Sequence, residues 1–173
     1  MAAQGCDVPC FRPLDAWHGQ QLSKNGKYPL VFERRLALFP DQPLRVACGR
    51  CIGCRLEYSR QWAVRAVHEA SLHERNAFVT LTYSSDNLPQ DRSVSKREMQ
   101  LWQKRLRKLL GAEKVRFMSC GEYGELSGRP HYHALVFGWD FPDRVPWSVS
   151  NGVVSYRSAD LERTCPIVTG KLP

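Results

Sequence analysis

The stretch Gly128-Arg129-Pro130-His131-Tyr132-His133-Ala134-Leu135-Val136-Phe137 decides how this chain is read. An extended strand alternates its side chains between two faces, so His131 and His133 share one side and Tyr132 takes the other. The apolar run Ala134–Phe137 marks the strand as buried. Two imidazoles on one rigid face make half of a metal site. Just upstream lies Cys120-Gly121-Glu122-Tyr123-Gly124, and a hairpin through the Gly-rich stretch 123–130 brings a carboxylate beside the imidazoles. Glu122 is the first choice for the third ligand and Glu125, in the loop, the second. A divalent ion held by two neutral imidazoles and one carboxylate keeps positions open for substrate or water. The competing account is a pair of sheet histidines satisfied by backbone carbonyls. The acidic strand end, the glycine-rich turn and the basic chain weigh against it.

Working outward, residues 115–122 and 131–138 read as two antiparallel strands, with Pro130 tolerated just before the first paired residue. Ala77–Tyr83 is the clearest strand, with Ala77, Val79, Leu81 and Tyr83 on one face. Ser95 followed by Glu98 gives a capping box, and the helix it opens runs to Leu110, stopped by Gly111. Met99, Trp102, Leu106, Leu109 and Leu110 form its apolar side. An earlier helix is expected from about Arg55 to Glu74, with Leu56, Ala63, Val67 and Ala70 on its buried face. Residues 1–47 read as irregular, punctuated by five prolines. Asn25-Gly26 is a candidate hairpin turn before the short apolar runs 30–32 and 36–39. Residues 139–173 read as turn-rich and weakly patterned. The expected fold is α+β, a central antiparallel sheet with helices packed on it. The expected division is an irregular Cys-rich arm at 1–54 and a main domain at 55–173.

The chain of 173 residues carries a formal net charge of +8. That excess favours a polyanionic partner, nucleic acid before membrane. Neither a leader-like apolar segment nor a run long enough to span a bilayer is read, so a cytoplasmic setting is expected. Seven cysteines without an export signal point to reduced thiols or metal ligands. Cys48-x-x-Cys51-x-x-Cys54 gathers three thiols in a Gly-bearing turn, and three soft ligands favour structural Zn²⁺. Cys10 is the first choice for the fourth ligand and Cys6 the second. Free thiols in a tight turn are the bland alternative. Arg97, Lys104, Arg105, Lys108 and Arg129 are candidate phosphate contacts, each weighed against an ordinary solvated face. Tyr123, Tyr132 and Trp139 are candidate stacking platforms for unpaired bases.

The successive segments Phe78–Tyr83, Cys120–Gly124 and Gly128–Gly138 resemble the motifs of HUH (His-hydrophobic-His) endonucleases. With Cys48–Ala63 added, the chain is similar to replication initiation proteins of gokushoviruses, small single-stranded DNA phages, from about Cys10 to about Cys165. The resemblance implies an HUH-like sheet domain in which His131, His133 and Glu122 bind Mg²⁺ or Mn²⁺. It implies origin-specific nicking of single-stranded DNA for rolling-circle replication, in a bacterial host cell and alongside host replication proteins. A tyrosine attacks, leaving a 5′-phosphotyrosine link and a free 3′-hydroxyl. In that family the tyrosine lies on a helix after the histidine strand, commonly with a lysine one turn away. Tyr156 follows that strand but has no helical stripe before it and no lysine after it. The nucleophile is therefore expected beyond Pro173, and the chain by itself is expected to bind metal without cutting. The alternative is a non-catalytic, zinc-stabilised nucleic-acid-binding fragment.

Overall fold

A computed structural model describes residues 10–125, 127–165 and 168–171, which divide into two compact units between Arg65 and Ala66. In the first unit, β1 (Leu14–His18), β2 (Leu30–Val31) and β3 (Leu44–Val46) form a small antiparallel sheet in the order β2-β1-β3. The arm expected to be irregular is thus partly ordered. Its strands are only two to five residues long, too short to display the alternation that marks a strand in sequence. The chain does turn at Asn25-Gly26, where the Gly26 N–H donates to the Ser23 carbonyl at 2.9 Å. The returning strand pairs with β1 through Trp17↔Val31 and His18↔Leu30.

Helix α1 (Ile52–Ser71) begins three residues before its expected start. Its expected buried face is largely uncovered: Leu56 is 63% and Val67 67% exposed, and Ala63 is exposed too. Ala70 is half-buried, lining a cleft with Ala77, Phe78, Leu135 and Phe137. Periodicity reports which side of a helix is apolar, not whether anything covers it.

The second unit is built on β4 (Asn76–Tyr83), α2 (Lys96–Leu110), β5 (Arg116–Tyr123) and β6 (Pro130–Phe137). With β9 (Val168–Lys171) they make an antiparallel sheet in the order β5-β6-β4-β9. Val79, Leu81 and Tyr83 of β4 and Tyr132, Ala134 and Val136 of β6 point to one face. Helix α2 covers that face with Met99, Trp102 and Leu106. Leu109, expected in this stripe, remains 37% exposed. Gly121 sits where the loop before α2 closes on β5, and a Cβ there would lie 2.9 Å from Val94 Cβ.

The Ser95 side chain accepts the Glu98 N–H at 3.4 Å, and Gly111 closes the other end of α2. Ser95→Ala should lower stability by about 1 kcal/mol through the lost cap. A denaturant titration would read this as a lower midpoint at constant slope; an unchanged midpoint would contradict it.

Residues 139–171 hold more structure than their sequence announced. Strands β7 (Val145–Ser150) and β8 (Val153–Arg157) form a hairpin around Asn151-Gly152, both with positive φ (50° and 77°). That dipeptide favours the primed turns that join adjacent strands. The six-residue α3 (Ala159–Thr164) follows, capped by Ser158. Asp143 accepts from the Ser158 hydroxyl at 2.7 Å and from the Asp160 N–H at 3.0 Å. Although burial works against its charge, those donors hold the Asp143 carboxyl below its usual range. Among the described residues, no helix is long and apolar enough to cross a membrane.

Candidate metal centre

The two faces of the sheet have different chemistry. Because α2 covers the face that takes Tyr132 and Ala134, the intervening His131 and His133 emerge on the other. Register does the rest: Glu122 lies directly opposite His131 on β5, and Thr80 opposite His133 on β4. Cross-strand partners share a face, so strand pairing alone delivers the carboxylate to the imidazoles. Glu122 Oε2 lies 3.2 Å from His133 Nε2 and 3.8 Å from His131 Nε2. One ligand atom from each of the three residues lies within 4.8 Å of the others. Donors about 2.1 Å from a shared ion can be at most about 4.2 Å apart. Both measured separations fit within that limit.

The second nitrogen of each ring supports the same arrangement. His131 Nδ1 lies 3.1 Å from the Arg129 carbonyl, which can only accept, so that nitrogen carries the proton. His131 Nε2 then keeps its lone pair free. His133 Nδ1 lies 3.1 Å from Thr80 Oγ1, a hydroxyl able to accept in the same way. Ligating histidines characteristically use the far nitrogen to fix ring and tautomer. Phe78 stacks on the His133 ring at 5.2 Å and 18°. Phe78 and Thr80 were not singled out from sequence, yet the alternation of β4 that buries Val79 and Leu81 puts both on the histidine side. Glu125, the second choice of carboxylate, is exposed in the turn and is not part of this cluster.

The other predicted residues are distributed differently. Arg97, Lys104 and Lys108 are exposed on α2, across the sheet from the imidazoles. Arg105 is half-buried and donates to the Thr164 carbonyl at 2.6 Å. Arg129 donates to the Tyr83 carbonyl. The expected basic cluster therefore does not line the metal face: helical spacing groups charges on α2 but does not tell which face of the sheet α2 covers. Tyr132 is 3% exposed, with its hydroxyl 2.7 Å from that of Tyr83, so it is no platform for bases. Burial is the main cause that pushes the Tyr83 hydroxyl well above the usual phenol range. Tyr123 is 48% exposed, but its hydroxyl accepts the Val94 N–H on the α2 side. Trp139 packs against the core with the Arg75 guanidinium 5.0 Å over its ring. Tyr156 is a β8 strand residue paired with Pro146 and packed against the core.

Similarity to known proteins bears directly on this site. The family model for replication-associated proteins of the ORF2 type matches residues 76–167, a span that runs from the first residue of β4 through both histidines. The chain belongs to that family. Among curated relatives, it is 39% identical to the replication-associated protein VP4 of Bdellovibrio phage phiMH2K, over 75% of this chain and 41% of that protein. It is 35% identical to the replication-associated protein ORF2 of Spiroplasma virus 4, over 79% of this chain and 46% of that one. It is 39% identical to the replication-associated protein ORF4 of Chlamydia phage 1, over 53% and 24% respectively. The chain thus spans less than half the length of these relatives. No solved structure matches it. The resemblance to phage replication initiation proteins expected from the motifs agrees with all three names.

The first unit of this family member holds a second cluster. Cys10, Cys48, Cys51 and Cys54 bring their sulfurs within 4.8 Å of one another, and all four are free. Cys6, the second choice of fourth ligand, lies outside the described residues. The Cys54 amide is the main influence drawing the Cys51 thiol down to about 6, against burial. Burial, in contrast, pushes the Cys54 thiol up to about 12. Cys120 is exposed on β5, and burial raises the Cys165 thiol to about 11. Neither belongs to the cluster.

Proposed function

We propose that this chain carries the metal-binding part of a single-stranded-DNA nicking centre that initiates rolling-circle replication. The observation that carries the reading is the convergence of Glu122, His131 and His133 on the uncovered face of the sheet. Proteins with replication-associated names are the relatives that share these strands. The ion is Mg²⁺ or Mn²⁺. Once bound, it acts as a Lewis acid toward a phosphodiester oxygen, stabilising the charge that develops during attack.

The protein's own contribution is placement. His131 and His133 present neutral nitrogens in fixed tautomers, so no proton has to leave before the ion enters. Glu122 supplies the one negative ligand and keeps the site net cationic when loaded, which suits a phosphate substrate. Thr80 and the Arg129 carbonyl hold the rings still. Tyr83, Tyr123, Tyr132 and Tyr156 are each engaged away from that face. The attacking tyrosine is therefore assigned to a segment outside the described residues.

Fluorescence anisotropy with a labelled single-stranded hairpin tests the reading. Mn²⁺ should raise affinity at least about tenfold, and His131→Ala should abolish that increment. The remaining binding should weaken steeply with salt. A denaturing gel should show no covalent adduct. Affinity indifferent to Mn²⁺ would favour a plain nucleic-acid-binding module, and an adduct lost in Tyr156→Phe would overturn the account of Tyr156.

A further inference from the structure

The first unit contains a site that the nicking reading does not use. We propose that Cys10, Cys48, Cys51 and Cys54 form a closed four-thiolate Zn²⁺ site that ties the N-terminal arm to the first turn of α1.

The distances carry the argument. Four sulfurs about 2.3 Å from one zinc ion at tetrahedral angles are about 3.8 Å apart along every edge. Cys51 Sγ lies 3.5 Å from Cys54 Sγ and 3.8 Å from Cys10 Sγ, and Cys48 Sγ lies 3.9 Å from Cys54 Sγ. The set has the dimensions of a single-ion cage. An iron–sulfur cluster would hold its four cysteines around a much larger body.

The backbone is arranged for thiolates. Cys10 Sγ accepts the Cys48 N–H at 3.3 Å, and Cys48 Sγ accepts the N–H groups of Cys51 at 3.4 Å and Arg50 at 3.5 Å. A four-thiolate zinc centre carries a net double negative charge, and amide donors to sulfur offset part of it. Gly49, at φ +71°, makes the reversal that turns those amides toward Cys48.

The small sheet explains why Cys10 completes the set. Leu14 of β1 pairs with Val46 of β3, so the chain four residues before that pair meets the chain two residues after it. Cys10 and Cys48 are thereby brought together across a 38-residue separation. Cys51 and Cys54 follow one turn apart at the start of α1. Three short strands bury little apolar surface, and a metal clip compensates for the entropy of ordering them.

Four thiolates leave no position open for water or substrate, so the site is structural rather than catalytic. Its soft donors also separate it chemically from the imidazole–carboxylate site: Zn²⁺ fills the thiolate cage while Mg²⁺ or Mn²⁺ goes to the other.

Elemental analysis of the whole chain, purified without chelator, should find one zinc per chain. The Co²⁺-substituted protein should show the visible bands and sulfur-to-cobalt charge transfer of a tetrahedral four-thiolate ion. Cys10→Ser should weaken zinc retention at least about 100-fold, whereas Cys120→Ser should leave it unchanged. If Cys10→Ser does not fold, titrating wild-type thiols with a mercurial in the presence of a zinc-sensitive dye serves instead, with release of the ion expected to require modification of cluster thiols. Substoichiometric zinc after reconstitution, iron in its place, or full zinc retention in Cys10→Ser would overturn the proposal. Because His131→Ala and His133→Ala should keep one zinc per chain, failure here is distinguishable from failure of the nicking reading.

Discussion

His133→Ala should weaken Mn²⁺ binding by at least about 100-fold, more than any other single change on the sheet surface. His133 Nε2 has the shorter approach to Glu122, at 3.2 Å against 3.8 Å for His131. Its ring is held from both sides, by the Thr80 hydroxyl and by the stacked Phe78. Deleting it removes a ligand and leaves two donors, too few to compete with the ion's own hydration. Thr80→Val should have a milder effect, about 10-fold, because it removes only the group that fixes the ring. Calorimetric titration with Mn²⁺ reads both. A loss under about tenfold for His133→Ala would mean that the ion is held elsewhere.

The largest expected loss of stability comes from the other side of the same strands. Trp102→Ala should cost about 3–5 kcal/mol, as a large buried aromatic leaves a cavity that the core cannot close. Trp102 is 1% exposed, meets Phe117 edge-on at 5.7 Å, and sits in the layer joining α2 to Val79, Leu81 and Val136. Since the sheet separates it from the imidazoles, the folded fraction of this variant should bind Mn²⁺ as the parent does. A urea titration showing a loss below about 1.5 kcal/mol would contradict the central place given to this residue.

The contrast between these two faces was largely written in the sequence. Alternation in Ala77–Tyr83 and in Pro130–Phe137 separates core from site residue by residue, and both strands occur within one residue of their expected limits. Helix α2 begins and ends where Ser95 and Gly111 place it, since capping is a local event. Pairing Glu122 with His131 needed only a hairpin through a glycine-rich turn.

What was missed has physical causes as well. Asn151-Gly152 is as strong a hairpin signal as any in the chain, but β7 is exposed throughout and offers no apolar rhythm around it. The strands Leu30–Val31 and Leu44–Val46 are stabilised by partners distant in sequence, which a local pattern cannot reveal. Leu56 and Val67 carry the right periodicity on a helix that leaves them uncovered. Arg105 looks like a solvated cation until α3 supplies the Thr164 carbonyl.

The central claim is that two neighbouring imidazoles and one carboxylate grip a single divalent ion. Pulsed electron paramagnetic resonance of Mn²⁺ added to the protein counts the coordinating nitrogens directly. Hyperfine couplings to two imidazole nitrogens are expected, with one lost in His131→Ala and one in His133→Ala. A spectrum without nitrogen coupling, or one unchanged by either substitution, would contradict the account.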